Sequence, residues 1–272
     1  YHYPEQFPTL FKAQISDIVT LLLPAIYIIV KLSFQSSYPY DIIEKNKVYC
    51  LKNRWGDYLT KLAIFDVDFT LTSRETLMEF YIFMVKKDPK LIVYAPFSII
   101  SAFLFVIGLF TAKKAKENFI SFINGISEEK MKCLTAEFYE KRMCKILYRD
   151  GLDTMKKLKN KGCKIYLISA SAEFYLKELY RIEYVDRIIG TIFSIKNGKH
   201  YNKIAGKNCK GEEKVRRLME SLKKDGLEVD FKNSYMFSDS LADLPLFNIV
   251  GNPYLINHKK SNPYNIKVLN WK

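Results

Sequence analysis

The segment Ile64-Phe65-Asp66-Val67-Asp68-Phe69-Thr70-Leu71-Thr72 constrains the fold of this chain more than any other. The apolar run Leu62 to Phe65 reads as a buried strand. It stops at two carboxylates two residues apart, and a threonine follows. Open α/β sheets place their sites at the carboxyl ends of parallel strands, where these acids fall. Carboxylates held so close repel each other unless a proton or a cation intervenes. Mg²⁺ suits such a pair because it takes hard oxygen ligands. Taken by itself, the same segment also reads as an aspartate-rich turn that caps a helix.

Three later stretches repeat the theme. Ile165-Tyr166-Leu167-Ile168-Ser169 is a second strand, ending in a hydroxyl. Lys210-Gly211-Glu212-Glu213-Lys214 puts a lysine just ahead of a helix. Tyr235 to Asp243 is a third strand that runs out into Asp239 and Asp243. Strands alternate with helical patterns, which predicts an α/β fold with a doubly wound parallel sheet. Each residue also has a purely structural reading. Ser169 can cap a helix, Lys210 can be solvated, Asp239 can serve a turn, and Asp243 can sit in a helix's first turn.

In this order, aspartate pair, hydroxyl, lysine and distal acids resemble the haloacid dehalogenase superfamily, in its phosphoserine-phosphatase-like branch. The likeness runs from about residue 61 to 257. It implies a Rossmann-like core with an inserted helical cap, and a phosphatase that forms an aspartyl-phosphate. On that likeness Asp66 attacks phosphorus, and Asp68 serves as acid and then as base. Thr70 ties down the loop beside the phosphate, which Ser169 and Lys210 hold. Mg²⁺ is held by Asp66, the main-chain carbonyl of Asp68, and Asp239, while Asp243 orients its waters. Glu75 stands where phosphoserine phosphatases bind the substrate ammonium. Two departures are visible: Phe69 occupies a position usually small, and Ser238 and Ser240 replace glycines. Ser-Asp-Ser ahead of Leu244-Pro245-Leu246 is similar to bacterial phosphatidylglycerophosphatase C-like members.

The net charge of +14 and pI near 9.3 favour anionic partners such as phosphate esters and acidic lipid. A compositional bias toward Lys, Asn, Ile and Tyr explains the charge equally well. No arginine-rich block or nucleic-acid motif occurs, so a nucleic-acid partner is not expected. The five cysteines are scattered and form no CxxC pair, which fits a reducing compartment. Cys209 neighbours Lys210, which can lower a thiol pKa, although a filler role is the simpler reading. Because the first residue is Tyr1, a targeting signal upstream would not be seen.

The expected organisation is an N-terminal extension over residues 1–60, a core over 61–85 and 150–272, and an inserted cap over 86–149. Within the extension, Ile18 to Val30 contains Pro24 and reads either as an interfacial helix or as a helix packed on the protein. Within the cap, Leu91 to Ala112 carries no charge and is flanked by Lys86, Lys87, Lys90, Lys113, Lys114 and Lys116. Its length qualifies it as a membrane candidate, and the alternative is a buried hairpin broken at Pro96. A single crossing would separate Asp66 from Ser169, so a shallow hairpin or a return is required. The resulting expectation is a membrane-associated phosphomonoesterase facing the cytoplasm, acting on a lipid phosphate such as phosphatidylglycerophosphate. The alternatives are a soluble-metabolite phosphatase, such as phosphoserine phosphatase, and a catalytically silent membrane-attached binding module. Helices are predicted over 75–85, 127–147, 152–161, 172–180 and 211–224, and a hairpin at Asn197-Gly198.

Overall fold

The computed structural model describes residues 59–272. The run Ile18 to Val30 therefore lies outside the described residues. The strands are β1 (Lys61–Phe65), β2 (Cys163–Ala172), β3 (Val185–Thr191), β4 (Phe193–Lys196), β5 (Lys199–Ile204), β6 (Tyr235–Ser238), β7 (Asn252–Ile256) and β8 (Lys267–Leu269). Six of them form one sheet in the order β3-β2-β1-β6-β7-β8, every pair parallel. β4 and β5 form the separate antiparallel hairpin, turned by Asn197 and Gly198 at φ 49° and 68°. The expected doubly wound α/β architecture is the one observed.

The central strands β1, β2 and β6 are almost wholly buried because both faces of the sheet are covered. In β1, Ala63 and Phe65 enter one core while Leu62 and Ile64 enter the other. Phe65 stacks on Phe237 at 4.6 Å, and Phe237 in turn meets Tyr254 at 5.2 Å and Trp271 at 5.6 Å. Each such buried ring stabilises the fold by about 1.5–3 kcal/mol. This aromatic stack holds β1, β6 and β7 in line, which fixes where Asp66 and Asp239 emerge.

Between β1 and β2 run α1 (Thr76–Lys87), α2 (Tyr94–Val106), α3 (Ala112–Phe119), α4 (Glu128–Lys141) and α5 (Arg149–Asn160). After β2 come the short α6 (Glu173–Leu176), then α7 (Glu212–Lys224) and α8 (Leu244–Phe247). Ser127 caps α4 as its sequence predicts, accepting from the Lys130 N–H. Helix α5 covers one face of the sheet through Met155 and Leu158, and α7 covers the other through Leu218 and Leu222. The inserted helices do not form a separate core. Phe80 of α1 and Phe138 of α4 meet Tyr175 of α6 at 5.4 and 5.9 Å, so cap and sheet share one apolar interior.

The uncharged run is broken up. Residues 89–93 form a 3-10 turn, α2 follows, and Gly108 at φ 78° reverses the chain into α3. Together residues 89–106 make an apolar helical stretch of 18 residues, of which 22% is buried. By length and composition alone that is enough to cross a membrane. The packing of α2 is inverted. Its small residues Ala95, Ser98, Ser101 and Ala102 face inward, while Val93, Phe97, Ile100, Phe103, Val106 and Ile107 are exposed. Phe97 is 63% exposed and Leu109, just past the helix, 69%.

Candidate active site

Asp66 follows the last residue of β1, and its main-chain N–H donates to Phe237 O of β6 at 2.9 Å. It is buried, at 8% exposure. The Lys214 ammonium donates to Asp66 Oδ1 at 2.7 Å and to Asp243 Oδ2 at 2.8 Å. A lysine at 3% exposure between two buried carboxylates forms an ion triad. Burial works against the ammonium, but Asp243 and Asp66 outweigh it and raise its pKa above that of ordinary lysine. Burial pushes Asp66 up to about 7, with Lys214 pulling down and Asp243 and Asp68 pushing further up.

The contact with Asp66 is made by Lys214, a residue that sequence reading does not single out; the lysine it names, Lys210, is expected at the phosphate. Gly211 sets where Lys214 points. At φ 57° and ψ −129° it takes a conformation that disfavours side chains, and it turns the chain sharply into α7. The first turn of α7 then aims Lys214 into the site. Lys210 stays near enough to be affected by Asp243 and Lys214, and burial lowers its pKa.

Two residues beyond Asp66, Asp68 is held from both sides. Its Oδ1 accepts from the Thr76 N–H and hydroxyl, each at 2.7 Å, and its Oδ2 accepts from the Ser171 hydroxyl. Between the acids and this anchor, Phe69 stands at φ 58°, in the left-handed region. A bulky side chain there is strained by about 1–2 kcal/mol, which is why a small residue is the easier choice. Thr70 is fully buried, and its hydroxyl accepts from the Asp239 N–H at 2.8 Å. It ties the β1 loop to the β6 loop. Ser169 lies in β2 at 1% exposure and accepts from the Ser171 N–H at 3.1 Å, which leaves its own proton to point elsewhere.

The serines that stand in place of glycines have definite partners. Ser238 donates to Asp243 Oδ2 at 2.8 Å, and Ser240 accepts from the Ala242 N–H at 3.2 Å. They shape the turn that carries Asp239. His258 Nδ1 sits 2.7 Å from the Asp239 carbonyl and holds the same turn from outside. Glu75 caps α1, its Oε2 accepting from the Met78 N–H at 2.8 Å. Burial and then the charge of Asp68 raise its pKa to about 8, against the Met78 N–H and Lys116.

Lys116, which sequence reading treats as a flank of the apolar run, turns inward at 4% exposure, whereas Lys113 and Lys114 stay outside. It donates to Ala170 O at 2.7 Å and to Asn208 Oδ1 at 2.9 Å. Burial lowers its pKa to about 8, although Glu75 and Asp68 favour its charge. Cys209 is fully buried, and burial raises its thiol pKa, so it acts as a filler.

Among the described residues no three carboxylate, imidazole or thiol side chains converge into a full metal shell. The residues present nevertheless suit a hard cation. Burial raises the pKa of Asp239 well above the usual range, and the charges of Asp66 and Asp243 raise it further. Carboxylates crowded in this way are relieved by a divalent ion. Two carboxylates, Asp66 and Asp239, plus the Asp68 carbonyl and water make a donor set typical of Mg²⁺.

Comparison with known proteins places this geometry in context. Residues 63–248 match a family model described as haloacid dehalogenase-like hydrolase. A probable phosphatase of Mycobacterium tuberculosis is 24% identical over 126 residues, covering 46% of this chain and 43% of that protein. The chain thus spans less than half the length of that relative. A Bordetella pertussis Tohama I protein of unknown function superposes with a TM-score of 0.70 at 22% identity, over 78% of this chain and 99% of that one. A substrate-bound phosphoserine phosphatase superposes with a TM-score of 0.52 at 19% identity, over 78% and 94%. At these identities the superpositions establish the shared fold.

Proposed function

Since the chain belongs to the haloacid dehalogenase-like hydrolase family, we propose that it is a phosphatase that cleaves phosphate monoesters through an aspartyl-phosphate on Asp66. The observation that carries this reading is the Asp66–Lys214–Asp243 triad with Asp68 two residues on. Lys214 fixes the rotation of the Asp66 carboxylate by holding Oδ1. As Asp66 bonds to phosphorus, the ester P–O bond breaks, and its electron pair leaves on oxygen, which takes a proton from Asp68. Water then attacks the same phosphorus, Asp68 takes its proton, and phosphate departs to restore Asp66. On this reading Ser169 and Lys210 hold the phosphoryl oxygens. Bound Mg²⁺, held by Asp66, Asp239 and the Asp68 carbonyl, would offset the negative charge of phosphate and nucleophile.

The substrate favoured by this reading is a phosphate ester at a membrane surface, with phosphatidylglycerophosphate as the candidate that the sequence likeness suggests. Its support is the inverted packing of α2. Large exposed apolar patches on soluble proteins mark interaction sites, and the lysines at both ends suit anionic head groups. The competing metabolite reading rests on Glu75, one of whose oxygens is occupied in capping α1. A panel of lipid and soluble phosphate esters, assayed with Mg²⁺ and with chelator, separates the two. Turnover is expected to vanish in Asp66→Asn and in chelator, and to be faster on the bilayer-embedded ester. Hydrolysis by Asp66→Asn near the wild-type rate rejects the aspartyl-phosphate, and faster turnover of soluble esters rejects the lipid substrate.

A further inference from the structure

The grip on Asp68 is more elaborate than a loop anchor requires. Three donors converge on one carboxylate: the Thr76 N–H and hydroxyl at Oδ1, and the Ser171 hydroxyl at Oδ2. Thr76 opens α1, so its N–H is one of the main-chain donors that a helix start leaves without a partner in the helix. The helix end also favours a negative group there.

Hydroxyl bookkeeping orders the rest of the cluster. Thr76 has one hydroxyl proton, and the contact at 2.7 Å places it on Asp68. Its lone pairs then face Ser171 Oγ at 3.2 Å and Tyr175 OH at 3.3 Å, so Tyr175 donates to Thr76. Tyr175 is fully buried, and burial together with the charges of Asp68 and Glu75 keeps its phenol protonated. The donors therefore run in one direction, toward Asp68. Ser171 joins two parts of the site, since its N–H holds Ser169 and its hydroxyl holds Asp68. It is buried at 2% exposure and has no place among the attacking or phosphate-holding groups named above.

We propose that Ser171 and Thr76 are positioning residues that set the direction in which the Asp68 carboxyl presents its proton to the leaving oxygen. This rests on Asp68 being the acid of the reaction. The consequence is a dependence on the leaving group. An aryl oxide leaves with little help, whereas an alkyl oxide needs the proton as its bond to phosphorus breaks. Loss of direction in Asp68 therefore harms alkyl esters more.

The test uses the full chain with p-nitrophenyl phosphate and an alkyl phosphate such as glycerol phosphate. Ser171→Ala keeps the N–H to Ser169 and removes only the hydroxyl. Thr76→Val keeps the N–H to Asp68 and the branched shape. Each is expected to raise the aryl-to-alkyl ratio of kcat on the order of tenfold, with KM for the aryl ester changed less than about threefold. Ser171→Thr is expected to restore part of the ratio. In an Asp68→Asn background, Ser171→Ala should change the ratio no further, because the group it aims is gone. An equal loss on both esters, or the same change in the Asp68→Asn background, overturns the proposal. An Asp68→Asn variant with an unchanged ratio overturns the acid role and the proposal with it. A raised ratio in Asp68→Asn but not in Ser171→Ala or Thr76→Val overturns the positioning alone. If Ser171→Ala does not fold, Thr76→Val carries the same comparison.

Discussion

Two lysines lie four positions apart, and Lys214 is the one seen to hold Asp66. Lys214, Leu218 and Leu222 recur at helical spacing and all are buried. A lysine on the apolar stripe of a helix has to find a charge partner, and that was the signal in the sequence. Sequence reading favours Lys210, just ahead of the helix, over that stripe, and the turn at Gly211 that aims Lys214 cannot be read from residue types. Lys214→Met should cost about 3 kcal/mol of stability, since it leaves Asp66 and Asp243 buried without their cation. It should also reduce kcat at least ~100-fold, while Lys210→Met mainly raises KM. Thermal melts and steady-state kinetics on the two variants check this. Glu75 gives a test in pH. Its pKa moves from the ordinary 4.5 up to about 8 in the folded chain. Through that window the folded state keeps a proton that the unfolded chain has released, so stability falls as pH rises. Glu75→Gln retains a capping oxygen and removes the titration. The melting temperature of the variant relative to wild type should therefore climb between about pH 5 and pH 8.

At the scale of elements, the strands and their terminal acids were legible because buried parallel strands are apolar on both faces and polar only where they stop. Asp66 and Asp239 fall just past such ends, Thr70 and Asp243 lie in the turns that follow, and Ser169 lies in the second half of β2. The cap was less legible. An uncharged run from Leu91 to Ala112 has the composition of a span, and nothing in its residue types reports that small residues will face inward. If this run docks on lipid, the outward apolar face of α2 is the part that meets it. Replacing Phe97, Ile100 and Phe103 by Asp alters only exposed positions, so the fold should hold. Co-sedimentation with vesicles rich in phosphatidylglycerol should fall from substantial to background, and turnover of a soluble ester should persist. Unchanged sedimentation of the triple variant would mean that this face does not dock on lipid.

For the whole molecule, the parallel order followed from alternating strands and helices, but β8 did not. Its three residues, Lys267–Leu269, carry too short a pattern to separate from loop, and only pairing with β7 makes them a strand. The placement of β1 has a further consequence, which concerns the order of synthesis. β1 is made before every other strand of the described sheet, yet it sits in the interior, with Lys61 beside Cys163 and Ala63 beside Tyr235. On the ribosome, the strand that leads into Asp66 must wait for the whole cap and then for β2 before one edge is covered, and for β6 before the other is. During that wait α1 to α4 are already complete, and the outward apolar face of α2 is exposed before any catalytic centre exists. If that face docks on lipid, the chain would reach a bilayer while its sheet is still being assembled.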